Sequence, residues 1–318
     1  MYNKAYGIIE TLAALHVGAA AGEESGNLNL IFRDQFTQTG IVPGSSIRGR
    51  FRSEMRLRRQ QWLEEELKKL GEKIPRNFSN EQNQEDTKTK LEWLETKTKE
   101  LNLTVPSEKD ENIWYGHEAV KEKPDSTTES LIKFEYASIL WIPVFCPGQP
   151  IVWVSCPKLL KRYKRIKGIS QEPPSVYSGS QSLKALTIDD QQKLFFNFGF
   201  LTIEHPNQNL EDWFPLGEEL PAVVVADDEI AMIHDMALYR QSRAALDKHE
   251  KRVKNFFNTE ALPEGTILVF PIAIRDFSNG NETEEWKPFG EKKTFYDMYL
   301  GGLESIGFGH CQITLQGV

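Results

Sequence analysis

The densest chemistry in this chain lies between Ser45 and Gln60, where six arginines stand with a single acid, Glu54. Pro43-Gly44 stops the preceding segment, and Ser45 and Ser46 are placed to cap the first amides of a helix. Arg48, Arg50 and Arg52 follow at alternate positions. On a helix Arg48, Arg52, Arg56 and Arg59 share one face, because residues three or four apart are neighbours there. Ile47, Phe51, Met55 and Trp62 recur on another face and can anchor the helix to a core. Free helix-start amides beside guanidinium groups make an anion site, best suited to phosphate. Gly49 lets a backbone come close. The plainer alternative is an exposed helix with solvated arginines.

A second constellation is Gly301-Gly302-Leu303-Glu304-Ser305-Ile306-Gly307-Phe308-Gly309. Such a loop can turn amides toward a polyanion. It precedes the last predicted strand instead of opening a helix after a first strand, which excludes a dinucleotide fingerprint. A third is the acid-free run containing Lys161, Arg162 and Lys164 around Tyr163. It suits a backbone-tracking groove with a stacking ring, or an ordinary basic helix end. His16 closes the first predicted strand near the loop before the arginine helix, where it can face a groove or end the strand. His234 and Asp235 are adjacent, which does not make a catalytic pair. No HExxH, Cys/His cluster, GxSxG or Walker motif occurs, so no tight metal site, serine-hydrolase elbow or P-loop is expected.

The elements that must position these residues are legible in outline. The 318 residues carry a net charge of −8, so the arginine stretch is a local exception. That balance argues against indiscriminate nucleic-acid coating and allows one basic groove. No apolar run is long enough to span a bilayer. The three cysteines lack metal spacing and read as reduced, implying a cytoplasmic protein. Residues 5–20 read as a strand, 19–29 as a loop, and about 45–70 as the arginine helix. Residues 139–145 and 151–155 read as a hairpin about Pro147-Gly148. Further strands are expected at 194–203, 222–226, 266–274 and 312–315, and a helix at 229–248 carrying Arg240 and Arg243. Residues 71–128 read as an insertion, with a polar, mobile surface stretch at 77–90 and a short amphipathic helix at 91–101. The sum is an α+β domain with an antiparallel sheet.

Four stretches occur in order from end to end: LHVGA at 15–19, IVPGSSIRGRFR at 41–52, TEALPEGT at 259–266 and LGGLESIGFGHCQI at 300–313. Together they resemble the RAMP superfamily of CRISPR proteins, most closely the Cas-seven backbone subunits of type III effector complexes. The stretch WIPVFCPGQPIVWVSCPKLLKRY at 141–163 looks most like the Cmr-four-like branch; a type III-D subunit is the other option. The resemblance implies one RRM-like, ferredoxin-like domain over 1–318, with a thumb-like protrusion within 164–215 or 240–256. It implies a stacked subunit that holds CRISPR RNA and the guide–target duplex, with other Cas subunits as partners and no membrane. His16, Arg33, Ser45, Ser46, Arg48, Arg50, Arg52, Gly301, Gly302, Ser305, Gly307 and Gly309 would contact RNA. Arg56, Lys161, Arg162, Lys164, Arg240 and Arg243 would do so more weakly. The family's cleaving aspartate, five residues before the arginine matched by Arg33, is here Leu28 between Asn27 and Asn29. Glu24 and Asp34 are the nearest substitutes. A metal-dependent endoribonuclease using Mg or Mn, and a stand-alone guide-processing nuclease, are the alternative readings. On the backbone reading no cofactor is tightly bound.

Overall fold

The computed structural model describes residues 2–18, 28–75, 90–117, 127–247, 252–275, 286–290 and 295–318. The strands are β1 (Tyr2–Thr11), β2 (Leu28–Asn29), β3 (Ile41–Val42), β4 (Ile132–Phe134), β5 (Ala137–Cys146) and β6 (Gln149–Ser155). They continue with β7 (Ser178–Ser180), β8 (Leu186–Ile188), β9 (Gln191–Phe196), β10 (Gly199–Thr202), β11 (His205–Gln208) and β12 (Ala222–Val224). The last are β13 (Tyr239–Leu246), β14 (Val253–Ala261), β15 (Ile267–Arg275), β16 (Phe295–Tyr299) and β17 (His310–Gln316). The helices are α1 (Gly44–Lys69), α2 (Lys90–Glu100), α3 (Glu111–Tyr115), α4 (Pro157–Lys167) and α5 (Ile230–Ala237).

A large mixed sheet runs β11-β7-β12-β6-β5-β15-β1-β17-β16, with β3 on β5 and β4 on β15. Its centre is antiparallel: β1 pairs with β15 and β17, β5 with β15 and β6. The expected antiparallel sheet holds for this centre, but the edge departs from it: β12 joins β6 in parallel and β11 joins β7 in parallel. The crossover through α4 and the following loops returns the chain in the same direction, as a parallel pair requires.

Both faces of the sheet are covered, which explains the unbroken apolar run in β5. Ile9, Leu268 and Phe270 point into one core, while Ile8, Ile267 and Val269 point into the other. The first core receives Ile47, Phe51 and Met55 of α1. Phe51 is surrounded by Phe134, Trp286 and Phe289 at ring-centroid distances of 5.5, 5.9 and 5.5 Å. The second receives Leu160 and Tyr163 of α4, together with Trp213 and Phe214. Trp141 stacks on Phe214 at 4.6 Å and donates its indole N–H to the Trp213 carbonyl. Gly7 in β1 lies under the Phe270 ring, which a Cβ there would meet at 2.1 Å.

Two other expectations are corrected. The helix expected over 229–248 stops at Ala237, and residues 239–246 become β13, paired with β14 in a hairpin. Leu238 leaves the helix with an extended backbone, and strand pairing with β14 overrides local propensity. The short helix expected at 91–101 is present as α2, but the insertion at 71–128 is not all surface. Leu94 of α2 packs on Leu63 and Leu67, and Trp114 and Tyr115 are buried in the first core. The polar stretch at 76–89 lies outside the described residues.

Candidate nucleic-acid interface

α1 begins against the sheet. A Cβ on Gly44 would stand 2.4 Å from the Phe134 carbonyl oxygen, so only glycine lets the helix start so close to β4. Pro43 is the N-cap residue and makes no side-chain cap bond. Ser45 and Ser46 are therefore not caps, as their sequence suggests, but residues of the first helical turn. The amide of Ser46 donates to the Pro43 carbonyl at 3.0 Å.

The Gly-rich loop comes to this helix start from the other end of the chain. Its course follows from the pairing of β1 with β17 and of β16 with β17. The Gly302 amide donates to the His16 carbonyl at 2.9 Å, and the Gly309 amide to the Ala14 carbonyl at 2.9 Å. Gly301 has φ +77°, and a Cβ there would meet the His16 oxygen at 2.2 Å. Gly309 has φ +84° and meets the Leu300 oxygen in the same way. Between them Leu303 adopts φ +66°, a rare conformation for a branched side chain.

These parts enclose an open cleft of about 440 Å³ lined by Val17, Gly18, Phe32, Ser45, Ser46, Gly49, Arg50, Ser53, Tyr299, Gly301, Gly302 and Glu304. Of the expected site residues it gathers Ser45, Ser46, Arg50, Gly301 and Gly302. Ser305, Gly307 and Gly309 belong to the same loop but do not line the cleft. Nothing stands within 4 Å of a Cβ built on Gly49 or Gly302, so backbone is open to the cleft at both. Sequence reasoning passed over Tyr299, Phe32 and Ser53. Tyr299 carried a signal, as an aromatic two residues before the first loop glycine.

His16 stands behind the wall. It is 7% exposed, and its Nδ1 bonds the Glu260 carbonyl at 2.6 Å. The other arginines of the helix are engaged by protein partners. Arg48 donates to the Tyr115 carbonyl. Arg52 reaches Asn112 Oδ1 at 3.4 Å. Arg59 and Arg56 reach the Glu111 carboxylate at 3.2 and 3.5 Å. Glu111 is buried, so the shared face of α1 binds an internal anion.

Arg33 and Arg240 enter a second network. Arg33 bridges Asp235 at 3.0 Å and Glu260 at 3.1 Å, and Arg240 bridges the same pair at 3.0 and 3.2 Å. Partial burial raises the Asp235 pKa, but the two guanidinium groups more than offset it and hold the carboxyl below its ordinary value. His234 points elsewhere and accepts the Gly40 amide on Nε2 at 2.9 Å. Burial, helped by Arg33, pushes its pKa down to about 3, so the ring is neutral. Adjacency in sequence therefore creates no dyad. Arg243 lies over the Phe257 ring at 5.3 Å.

Lys161, Arg162 and Lys164 ride on α4, the helix whose Leu160 and Tyr163 pack into the second core. Arg162 stacks over Tyr136 at 4.1 Å and donates to Ser138 and the Tyr136 carbonyl. Lys164 pairs with Glu172 at 2.5 Å. None of the three lines the cleft.

Asp34 is spent on its own turn. Its Oδ1 accepts the amides of Phe36 and Thr37 and the Thr37 hydroxyl at 3.0, 2.8 and 3.0 Å. Burial raises its pKa, but those bonds and Lys158 prevail and hold it below the ordinary carboxylate value. Glu24 lies outside the described residues. Leu28 is zipped into a parallel ladder with β14, opposite Asn258. Among the described residues no three His, Cys, Asp or Glu side chains converge as a metal site would need.

No curated protein sequence matches this chain. Solved structures do match its fold along its whole length. A chain of a type III-B Cmr-beta complex bound to cognate target RNA superposes with a TM-score of 0.59 at 16% identity, covering 98% of this chain and 96% of that one. The apo state of the Cmr-beta complex gives 0.56 at 17% identity, with 98% and 97% covered. Oligomeric Cmr4 from Pyrococcus furiosus gives 0.57 at 15% identity, with 99% of both chains covered. The RAMP superfamily sequence profile matches residues 8–312, and the chain belongs to that superfamily.

Proposed function

We propose that this chain is a CRISPR RNA-binding backbone subunit of a type III effector complex, and that the cleft between α1 and the Gly-rich loop holds the guide backbone. The observation that carries the reading is convergence. Arg50, Ser45, Ser46 and the backbone of Gly301 and Gly302 come from opposite ends of the chain to one open cleft. Backbone amides and a guanidinium recognise phosphate without reading bases, and pairing between guide and target supplies sequence. The matched structures support the same role: one of them is of a complex bound to cognate target RNA and another is of an oligomeric Cmr4. On this reading its partners are CRISPR RNA, target RNA and other Cas subunits, in the cytoplasm. The core around β1, β5, β15 and β17 is RRM-like, and the β13–β14 hairpin is the thumb. Residues 164–215 are the less suited alternative, because β7 and β11 join the main sheet.

Holding is favoured over cutting. The carboxylate at Asp34 is engaged by its own turn, and the family's aspartate position is an apolar residue in a ladder. An engaged, low-pKa carboxylate is a weak general base at neutral pH.

The decisive variant is Arg50→Glu. Unlike Arg48 or Arg56, Arg50 lines the cleft, so reversing its charge should leave the fold intact. Co-purifying guide RNA should fall at least about tenfold, in line with losing a charge-assisted contact worth about 1.5–3 kcal/mol. Undiminished RNA in a folded Arg50→Glu protein would contradict the reading.

A further inference from the structure

The cleft contains more than a phosphate cradle. Tyr299 is the last residue of β16 and lies directly across from His310 of β17. The two rings stack at a centroid distance of 5.2 Å with 22° between their planes. One face of the tyrosine is thus backed by the imidazole, and the residue is 40% exposed and lines the cleft. The His310 carbonyl accepts the amides of Leu12 and Ala13 at 2.8 and 3.1 Å, so the backing ring stands on a rigid strand. Arg50 lines the same cleft from α1, and Glu304 lines it from the loop. Nothing in phosphate binding uses an aromatic platform, and Glu304 repels phosphate from its own side.

We infer that Tyr299 is a stacking platform for one unstacked nucleobase of a single-stranded RNA, with the adjoining phosphate held on the Arg50 side of the cleft. The inference rests on the reading of the cleft as an RNA groove and adds a base-binding contact to it. A ring presents the same π-face to any base, so the platform should not discriminate sequence. A pre-stacked tyrosine also has little rotamer freedom left to lose on binding.

The test uses the full-length chain, a short labelled single-stranded RNA, and the same sugar–phosphate strand made abasic, read by fluorescence anisotropy. Tyr299→Ala should weaken binding of the normal RNA about 5- to 150-fold, the equivalent of about 1–3 kcal/mol for one stacked base. It should leave affinity for the abasic strand within about twofold, and Tyr299→Phe should bind both strands as wild type does. Tyr299→Leu keeps apolar bulk beside His310 without a ring, and gives the same answer if the alanine variant fails to fold. Arg50→Gln should weaken both strands. If Arg50→Gln weakens both while the Tyr299 variants bind normal RNA like wild type, or lose equally on both strands, the platform is wrong and the groove stands. If Arg50→Gln changes neither strand, groove and platform fall together.

Discussion

A single side chain in this protein takes its role from what it touches, and the arginines of α1 show this most clearly. Arg48, Arg50 and Arg52 are alike in sequence, yet Arg48 grips the Tyr115 carbonyl and Arg50 lines the cleft. His234 makes the same point for titration. Its folded pKa of about 3 lies below the ordinary value of 6.5, because burial excludes the charged ring. Between about pH 6.5 and 3 the unfolded chain binds a proton that the folded chain refuses. His234 therefore favours the folded state fully above about pH 6.5 and less as pH falls, by up to about 1.4 kcal/mol per unit. Urea denaturation at pH 7 and pH 5.5 should show wild type losing more stability than His234→Gln over that interval. Equal losses would mean that the ring is not held neutral.

At the scale of elements, α1 does two jobs with two faces. Phe51 and its neighbours fasten it to the sheet, and its arginine face closes on α3. Glu111, 3% exposed, is the anion that this face binds. Removing it would leave Arg59, and in part Arg56, without a counter-charge in a poorly solvated place. Glu111→Ala should therefore cost about 3–5 kcal/mol in chemical denaturation, the range for breaking a buried ion pair from one side. A cost below about 1 kcal/mol would show that solvent already screens the pair. The amphipathic pattern of Ile47, Phe51 and Met55 made the helix legible. The partner of its arginines was not, because Glu111 is 52 positions from Arg59 and sits in a stretch whose polarity reads as surface.

At the scale of the whole molecule, the cleft exists because β17 returns beside β1 and carries the Gly-rich loop back to residues 14–16. Gly301 is the tightest point of that closure. A Cβ there would press on the His16 oxygen, and alanine also resists φ +77°. Gly301→Ala should displace the loop and weaken RNA binding, while most of the two-sided core stays in place. A thermal melt within a few degrees of wild type, with RNA affinity reduced several-fold, is the expected pair of results. Unchanged affinity would show that the loop does not shape the groove.

The strands from 139 to 155, β15, β17 and α1 were legible because their burial repeats locally, as apolar runs on a doubly covered sheet and apolar residues at helical spacing. The two halves of the cleft were legible as motifs for the same reason: Pro, Gly and Ser break and start elements wherever they stand. The failures in the parallel edge of the sheet and in residues 107–115 share one cause: each depends on a partner far along the chain, and no local pattern reports that partner. At β13 the partner is the next strand, β14, and pairing with it overrides a helix-like local composition. The sequence by itself thus determined that the chain carries an arginine-rich helix start, a Gly-rich loop and leucine, not aspartate, at position 28. Only the tertiary structure decided that the two motifs face each other, that Arg50 and not its neighbours lines the cleft, and that Tyr299 stands beside it. Helix starts and tight turns are set mainly by neighbours in sequence, whereas strand pairing and the contacts of a side chain are set by neighbours in space.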